Sequence, residues 1–235
     1  LAGKVRIKDA VADKPGRLVS EDCLPVILGD PQPFSSRGGF KLEHALKQFD
    51  ILPVGKTVVD VGASTGGFTD CLLQNGAEKV YAVDVGYGQL DWKLRNDPRV
   101  ICRDRKNARN LSKEDIGETL DLAVIDVSFI SLQLVIPPLL KILKPEGQLV
   151  ALVKPQFEVG KNDMEHRGII KDPAKHISVL LELNRFIEEK EWSIINATES
   201  PITGQKGNRE FLIHCVDNRY GKPVEENTLR KIVRN

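Results

Sequence analysis

The fold is decided by one stretch of the sequence, Thr57-Val-Val-Asp-Val-Gly-Ala-Ser-Thr-Gly-Gly-Phe-Thr69, which is followed by Lys79-Val-Tyr-Ala-Val-Asp84. The valines of the first segment run without strict polar alternation, as in a parallel strand that is covered on both faces. Glycines then turn the chain into a helix, predicted from about Phe68 to Asn75, and the second segment predicts a neighbouring strand that ends in an acid. This pattern is typical of a doubly wound α/β sheet, in which the carboxyl ends of the strands line the ligand crevice.

The acid that ends the second strand and the residues of the glycine turn together indicate the class of ligand. Asp84 can accept hydrogen bonds from a ribose diol, which predicts a nucleoside site. A dinucleotide-binding turn needs a glycine where the backbone approaches a pyrophosphate, and Ser64 occupies that position here. Asp60 would repel phosphate and suits a ligand that carries an ammonium and a sulfonium. We therefore predict S-adenosylmethionine (SAM) as the cofactor rather than NAD, while noting that similar turns occur in other α/β domains.

The predicted cofactor contacts lie in the turn and at the ends of two strands. A third short strand, Val100–Cys102, is followed by Asp104, whose carboxylate could receive the adenine amino group. The complete set of predicted cofactor-binding residues is Asp60, Gly62, Ala63, Ser64, Gly67, Phe68, Asp84 and Asp104.

Length and charge leave room for one large α/β domain and a small appendage. The chain has 235 residues, with 34 Lys and Arg against 33 Asp and Glu, so net charge neither favours nor excludes a polyanionic partner. The local distribution is less even, because the segment from Asp91 to Lys113 holds eight basic residues against three acids. A charge run of this kind is more often a solvated surface than a nucleic-acid contact, and both interpretations stay open.

Cysteine, histidine and hydropathy patterns place the chain among cytoplasmic proteins. Four cysteines form neither a close pair nor a metal-binding spacing, which is typical of reduced thiols, and the four histidines are scattered, so we expect no metal. The longest uncharged apolar stretch, Val127–Leu140, has 14 residues and contains two prolines, which is short of the roughly 20 residues that span a bilayer. No signal peptide is visible.

Charged residues recur at the ends of predicted elements. Lys41 falls in the first turn of a helix predicted from Ser36 to Phe49, where it opposes the helix dipole. Asp126 ends a fourth buried strand, and Lys154 ends a fifth one, Gln148–Lys154. Because a buried lysine is costly unless it is paired or functional, we expect Lys154 to face Asp126.

The remaining segments complete an α/β pattern with an edge hairpin. A helix is predicted from Leu132 to Leu143, with prolines near its start, and another from Pro173 to Lys190. Between the fifth strand and the second of these helices, Phe157–Lys171 is predicted to be a substrate loop. Strands Trp192–Ser200 and Asn208–Val216 follow, and Glu210 lies at the start of the second. A strand order of 3-2-1-4-5-7-6 would bring Lys41, Asp126, Lys154 and Glu210 together.

Five motifs, taken jointly, resemble one family over nearly the whole chain. They are the glycine turn, Ser36-Arg-Gly-Gly-Phe-Lys41, Ile125-Asp-Val-Ser-Phe129, Val153-Lys-Pro-Gln-Phe-Glu158 and Gly207-Asn-Arg-Glu-Phe211. The sequence is similar to the TlyA family, a branch of the FtsJ-like ribose methyltransferases long labelled hemolysins. The resemblance implies a Rossmann-like class I SAM-dependent methyltransferase fold, with a seven-stranded, mostly parallel sheet and an antiparallel edge hairpin. It also implies methyl transfer from SAM to a ribose 2′-hydroxyl of RNA, with ribosomal RNA (rRNA) as the expected partner.

The same resemblance implies a catalytic Lys-Asp-Lys-Glu tetrad, matched here by Lys41, Asp126, Lys154 and Glu210. A ribose hydroxyl is a poor nucleophile, so a positioned base must take its proton, and Lys154 is the candidate. Asp126 would fix the lysine and stabilise its protonated form. Lys41 would repel a proton from Lys154 or hold a substrate phosphate, and Glu210 would orient a lysine and the hydroxyl. Two alternatives remain: an RNA-binding protein that kept the fold without methyl transfer, and a membrane-active hemolysin.

Residues 1–33 differ in texture from residues 34–235, which are expected to form the methyltransferase domain. Short β-like pieces, around Val5-Arg6-Ile7, Leu18-Val19 and Leu24–Leu28, flank the turn Lys14-Pro-Gly16. Such a segment is too small to bury its own core. It resembles the carboxyl half of an S4-type RNA-binding module, whose preceding helical part is expected but does not appear here. An ordinary N-terminal extension is the alternative.

Overall fold

The computed structural model describes residues 5–7, 10–12, 18–20, 22–27, 32–159 and 168–234. The chain divides into two compact units, Leu1–Pro33 and Phe34–Asn235. The first unit contains an antiparallel sheet of order β2-β1-β3, formed by β1 (Val5–Ile7), β2 (Ala10–Val11) and β3 (Val26–Ile27). Strand β2 was not predicted, and Leu18-Val19 forms no strand. The predicted Lys14-Pro-Gly16 turn lies outside the described residues.

The second unit is built on a seven-stranded sheet. Its strands are β4 (Thr57–Val61), β5 (Lys79–Val83), β6 (Val100–Arg103), β7 (Leu120–Ile125), β8 (Leu143–Val153), β9 (Trp192–Glu199) and β10 (Phe211–Asp217). The order is β6-β5-β4-β7-β8-β10-β9, with β4 to β8 parallel and β10 antiparallel to both of its neighbours. The predicted order 3-2-1-4-5-7-6, the mostly parallel sheet and the antiparallel edge hairpin are therefore confirmed.

Helices cover both faces of this sheet. They are α1 (Gly38–Gln48), α2 (Gly67–Gln74), α3 (Trp92–Arg95), α4 (Lys113–Ile116), α5 (Leu132–Leu140), α6 (Pro155–Glu158), α7 (Pro173–Glu188) and α8 (Glu226–Arg234), with a 3-10 turn at Ala108–Asn110. Val58 belongs to the buried cluster that includes residues of α1 and α2, whereas the next residue, Val59, belongs to the cluster that includes residues of α5 and α7. Because successive residues of a strand face opposite layers, covering both faces explains the unbroken valine run of β4.

Two predictions about the helix that begins at Leu132 were wrong. Helix α5 ends at Leu140 instead of Leu143, and Pro137 and Pro138 lie in its second half rather than near its start. Each proline lacks the N–H that would bond the carbonyl four residues earlier, on Gln133 and Leu134, and both of those residues are exposed to water. Water can bond these two carbonyls, so the helix tolerates both prolines and continues to Leu140, and β8 begins at Leu143.

The sheet topology gathers the charged residues singled out from the sequence. Asp84, Asp104, Asp126 and Lys154 each directly follow the carboxyl end of a parallel strand. Glu210 was predicted to lie within the last strand, but it directly precedes that strand, β10, in the structure. Since β10 runs antiparallel to β8, its start lies at the same sheet edge as the ends of the parallel strands.

Candidate active site

The glycine turn between β4 and α2 is held in shape by backbone conformation and one carboxylate. Gly62 has φ of 85°, and a Cβ there would lie 2.4 Å from the carbonyl oxygen of Asp126, so only glycine fits the close approach of the two strand ends. Ser64 also has positive φ, 48°, and its N–H donates to Oδ2 of Asp84 at 2.8 Å. The turn is therefore braced by the acid that ends β5.

Asp84 keeps acceptor capacity after bracing the turn. Its Oδ1 accepts from the N–H of Gly86 at 2.7 Å, and its Oδ2 is bound by Ser64. A carboxylate offers about four lone-pair sites, so two remain for the hydroxyls of a ribose. This arrangement is compatible with the predicted ribose contact, which stays a prediction.

Asp104, the predicted adenine contact, is more strongly engaged by the protein itself. Its Oδ2 accepts from Nη2 of Arg95 at 2.7 Å and from the N–H of Gly88 at 3.3 Å. The hydrogen bond from Arg95 holds the pKa of Asp104 below its ordinary value. Only Oδ1 has no such bond within the described ranges, so the adenine contact stays a prediction that depends on that oxygen.

Asp60 does not present a charge to the ligand as the sequence suggested. The side chain is fully buried beneath the turn, where Oγ1 of Thr69 donates to its Oδ2 at 2.6 Å. Oδ1 has no hydrogen-bond partner in the part of the chain that the structure describes. Burial, with a smaller contribution from the nearby Asp126 and Asp84, raises the pKa of Asp60 to about 7 against the lowering effect of the hydrogen bond from Thr69. The electrostatic argument from Asp60 against a pyrophosphate is thus corrected: this group is sealed from the cavity and is only partly ionised near neutral pH.

A large cavity opens beside the turn at the carboxyl edge of the sheet. Its volume is about 1020 Å³, at the upper end of the range typical of small-molecule sites. One part of its wall is the turn, including Gly62, Ala63, Ser64, Gly67 and Phe68. The other part includes all four members of the predicted tetrad, Lys41, Asp126, Lys154 and Glu210. The structure therefore brings the predicted turn and tetrad together in one cavity, whereas Asp60, Asp84 and Asp104 lie outside its wall.

Lys154 and Asp126 form one of two ion pairs in the cavity. Nζ of Lys154 lies 2.6 Å from Oδ1 of Asp126, in a contact that lacks hydrogen-bond angles, and it donates to Oγ of Ser128 at 3.0 Å. The side chains are largely shielded from water, with 11% of Lys154 and 21% of Asp126 exposed. The expected pairing of the ends of β7 and β8 is thus observed, and Ser128 is a further partner that sequence reasoning missed.

Lys41 and Glu210 form the second pair. Nζ of Lys41 donates to Oε2 of Glu210 at 2.5 Å, and both side chains are buried. The acid offsets the unfavourable position of a lysine near the start of α1. The other oxygen of Glu210 faces Gly204, where a Cβ would lie only 2.5 Å from Oε1. Gly204 therefore permits the close approach of its loop to the acid.

An aromatic pair at the cavity wall was missed by sequence reasoning. The rings of Phe129 and Phe157 have centroids 4.9 Å apart, and Phe129 is 90% exposed with φ of 64°. Glu158 fixes this pair, because its carboxylate accepts from Oγ of Ser131 at 2.6 Å and from the N–H of Leu132 at 2.9 Å, which ties α6 to the start of α5. An exposed aromatic directly after the end of a buried strand, in Asp-Val-Ser-Phe, was the available signal.

Several members of the basic segment from Asp91 to Lys113 are committed to contacts within the protein. Arg95 pairs with Asp104, Arg99 with Asp97, and Lys106 with Asp115. The guanidinium of Arg105 lies over the ring of Tyr87, 4.4 Å from its centroid, and both side chains are exposed. Paired cations attract a polyanion less than free ones, so the structure favours a smaller basic surface than the residue count suggested.

Comparison with known proteins identifies the family. The FtsJ-like methyltransferase model matches residues 34–216. The chain belongs to the FtsJ-like methyltransferases. It is 46% identical to the 16S/23S rRNA (cytidine-2′-O)-methyltransferase TlyA of Mycobacterium tuberculosis, over 90% of this chain and 80% of that protein. It is 40% identical to Hemolysin A of Brachyspira hyodysenteriae, over 92% of this chain and 90% of that protein.

Solved structures agree with this assignment. A protein from Streptococcus thermophilus that carries the name hemolysin superposes with a TM-score of 0.84 at 41% sequence identity, covering 99% of this chain and 86% of that one. The predicted family resemblance and the class I methyltransferase fold are confirmed. Among the helices that the structure describes, none is both long enough and apolar enough for a membrane crossing.

SAM, the methyl donor of this family, fits the residues present. The cavity is large enough for a nucleoside with an amino-acid chain, and the glycine turn and tetrad lie on its wall. The free lone pairs of Asp84 suit the hydroxyls of a ribose. Within the described ranges, no group of three or more His, Cys, Asp and Glu side chains is placed to hold a metal ion.

Proposed function

We propose that this chain transfers the methyl group of SAM to the 2′-hydroxyl of a cytidine ribose in rRNA. One observation carries the proposal: two lysine–carboxylate pairs, Lys41 with Glu210 and Lys154 with Asp126, line the same cavity as the glycine turn. Basic groups held beside a nucleoside site suit proton removal from a hydroxyl. The choice of cytidine and of rRNA is supported by the name of the M. tuberculosis relative at 46% identity.

Bound SAM supplies a methyl carbon attached to a positively charged sulfur. Lys154, in its neutral form, would take the proton of the ribose 2′-hydroxyl, so that the oxygen could accept the methyl group and the sulfur would leave with the electron pair of its bond to carbon. The proton ends on Nζ of Lys154 and later passes to solvent. Asp126, 2.6 Å away, stabilises the ammonium that forms.

Lys41 and Glu210 have a positioning part in this mechanism. Their hydrogen bond is buried and joins the first helix of the domain to the residue before β10. Glu210 can hold Lys41, and Lys41 can bind a phosphate or ribose oxygen of the RNA at the cavity wall. Correct alignment of the reactants alone can lower the activation free energy by about 7–11 kcal/mol, so the positioning by Lys41 and Glu210 contributes to the rate alongside the base.

The aromatic pair supports single-stranded RNA as the substrate. Bases that leave a helix stack on exposed aromatic rings, and Phe129 and Phe157 offer such rings at the wall of the cavity that holds Lys154. The strained backbone of Phe129 is consistent with a functional position. A nucleotide whose base stacks on Phe129 would bring its ribose toward the tetrad.

The first unit and the basic segment complete the RNA-binding part of the proposal. Residues 1–33 are interpreted as a partial S4-like segment that positions RNA, and residues 34–235 as the catalytic domain. The three short strands of the first unit support this interpretation. Arg105 and Arg109 are exposed and suit phosphate contacts. Because rRNA is the proposed substrate, the cytoplasm is the proposed location.

The proposal is tested by mapping 2′-O-methyl groups in rRNA from cells with and without the gene. We expect one or more cytidines to lose the modification on deletion and to regain it when the parent gene is returned. The gene carrying Lys154→Ala should fail to restore it although the protein accumulates normally. Identical maps with and without the gene would overturn the proposal.

A further inference from the structure

Asn208 is a buried polar residue in the cavity wall that the proposed chemistry does not use. It belongs to the motif Gly207-Asn-Arg-Glu-Phe211 and lies two residues before Glu210. The side chain is only 4% exposed, and the residue lines the cavity. Buried amides need partners for both their donor and their acceptor, so its contacts show what it holds.

The carboxamide clamps the backbone of a second segment. Oδ1 of Asn208 accepts from the N–H of Ile170 at 2.9 Å, and Nδ2 donates to the carbonyl oxygen of Gly168 at 3.0 Å. Gly168 itself lines the cavity. An uncharged side chain that is donor and acceptor at once is required, and among residues of this length only asparagine provides it.

The backbone of Asn208 reaches Glu210 through a second loop. Its carbonyl oxygen accepts from the N–H of Gly204 at 2.9 Å, and Gly204 packs directly against Oε1 of Glu210. The carbonyl of Glu210 in turn accepts from the N–H of Ser200 at 2.9 Å. Asn208 thus joins the cavity wall at Gly168 to the loop that encloses Glu210.

We propose that Asn208 is a positioning residue for methyl transfer, which fixes the Gly168–Ile170 segment against the loop that holds Glu210. The inference rests on the proposed function of the tetrad. Without these hydrogen bonds, the distance between the Gly168–Ile170 segment and Glu210 is no longer fixed. The Lys41–Glu210 pair is then less precisely positioned beside the substrate. A displacement of about 1 Å at a reacting group can cost about 100-fold in rate.

The test compares Asn208→Ala with a matched control, Asn184→Ala. Asn184 is also a buried asparagine, 5% exposed, but it lies in α7, outside the cavity wall, and Nδ2 donates to Glu188 at 2.8 Å. Single-turnover methylation of an rRNA fragment would be measured for each protein at the same number of degrees below its own Tm. The rate should be about 100-fold lower in Asn208→Ala and near that of the parent in the control. SAM affinity, measured by calorimetry, should stay within about twofold of the parent in both variants, because the glycine turn is untouched.

Asn208→Asp tests the donor alone. The acid keeps an acceptor for Ile170 but places a second oxygen against the carbonyl of Gly168, so we expect it not to rescue the rate. A rate of the Asp variant near that of the parent would overturn the clamp.

Amide hydrogen exchange, followed by NMR, provides a readout that does not depend on activity. The N–H groups of Ile170 and Gly204 should exchange faster in Asn208→Ala and at the parent rate in Asn184→Ala. Unchanged exchange at both amides would overturn the clamp. Equal loss of rate in the two alanine variants, or a parallel loss of SAM affinity, would show a merely structural role and overturn the positioning claim. An inactive parent would instead contradict the proposed function, and the exchange data would still decide on the clamp.

Discussion

Nζ of Lys154 and Oδ1 of Asp126 lie 2.6 Å apart at the ends of two adjacent parallel strands, β8 and β7. In the register of the two strands, Asp126 directly follows the last paired residue of β7, Ile125, whereas Lys154 lies three residues beyond Ala151, the partner of Ile125, and directly after the end of β8. The ion pair stands at the wall of the cavity, next to the glycine turn that is expected to hold SAM. Its position allows the base to be tested separately from cofactor binding.

Replacing Lys154 should abolish turnover without weakening SAM binding. Lys154→Ala removes the base and leaves the turn and Asp84 in place, so we expect a loss of about 10²–10⁴-fold under single-turnover conditions. Lys154→Arg should not rescue the reaction, because a guanidinium with a pKa above about 12 keeps its proton at neutral pH. Calorimetry should show parent-like SAM affinity in both variants. An arginine variant that methylates RNA at near the parent rate would show that this residue acts as an electrostatic clamp.

Replacing Asp84 should have the opposite effect and weaken SAM binding. Asp84→Ala removes the predicted ribose acceptor and leaves the N–H groups of Ser64 and Gly86 without their carboxylate. The loss of a charged acceptor costs about 1.5–3 kcal/mol, so affinity should fall by about 10-fold to 100-fold in a calorimetric titration. Asp97→Ala is the control, because the carboxylate of Asp97 bonds Arg99 and not the glycine turn. Equal affinities for the two variants would contradict the ribose assignment.

Asp60 should make the SAM-free protein less stable as pH rises. The pKa of Asp60 in the folded state is about 7, above the ordinary value of 3.8. The folded state therefore binds this proton more tightly than the unfolded chain does. The contribution of Asp60 to the free energy of unfolding is full below pH 3.8 and is lost as pH rises toward 7. Three pK units correspond to about 4 kcal/mol. In urea unfolding, Asp60→Asn should gain stability relative to the parent between pH 4 and 7 and show a constant difference above pH 7. A difference that does not depend on pH would refute the buried, protonated carboxyl.

His214 should make the protein more stable as pH rises, which is opposite to the effect of Asp60, and it should do so in nearly the same pH range. The ring is 3% exposed, neither nitrogen has a hydrogen-bond partner among the described residues, and burial lowers its pKa from 6.5 to about 4. The unfolded chain binds this proton more readily, so the contribution is full above pH 6.5 and is lost as pH falls toward 4. The expected size is about 3 kcal/mol.

His214→Phe should therefore be more stable than the parent near pH 4, with an advantage that shrinks as pH rises to 6.5 and is constant above it. The ring stacks on Phe49, so phenylalanine suits the site. In the parent, Asp60 and His214 change the free energy of unfolding in opposite directions between pH 4 and 6.5, so their effects largely cancel. A variant that lacks one of the two groups should show the pH dependence of the other. Parallel stability curves for parent and His214→Phe would contradict the assignment.

Much of the domain could be predicted because strong local patterns coincide with the sheet topology. The unbroken valines of β4, the glycine turn and the charges at the strand ends each reflect a local constraint, and the parallel order then brings Asp126 and Lys154 together. The pairing of Lys41 with Glu210 depends on the antiparallel return of β10, which no local pattern encodes. The expected strand order and the family resemblance predicted only that Glu210 would join the other three residues and orient one of the two lysines.

What could not be predicted depends on side-chain depth and on contacts between loops. Asp60 was interpreted as an exposed anion, yet only the packing of α2 shows that Thr69 covers it. Helix α8 was missed, although Leu229 and Val233, both buried, have the spacing of one helical face. The clamp at Asn208 joins residues about 40 positions apart in the chain, and no sequence spacing indicates such a contact.

The most direct test of the proposed reaction is the chemical position of the transferred methyl group. Purified protein would be incubated with ribosomal subunits and SAM labelled in the methyl group, and the rRNA would then be hydrolysed in alkali. A 2′-O-methyl group blocks cleavage at its own nucleotide, so the label should appear in alkali-stable dinucleotides that contain cytidine, and Lys154→Ala should leave the RNA unlabelled. Label found in single nucleotides, as a methyl group on a base gives, or no transfer by the parent protein would contradict ribose methylation by this tetrad.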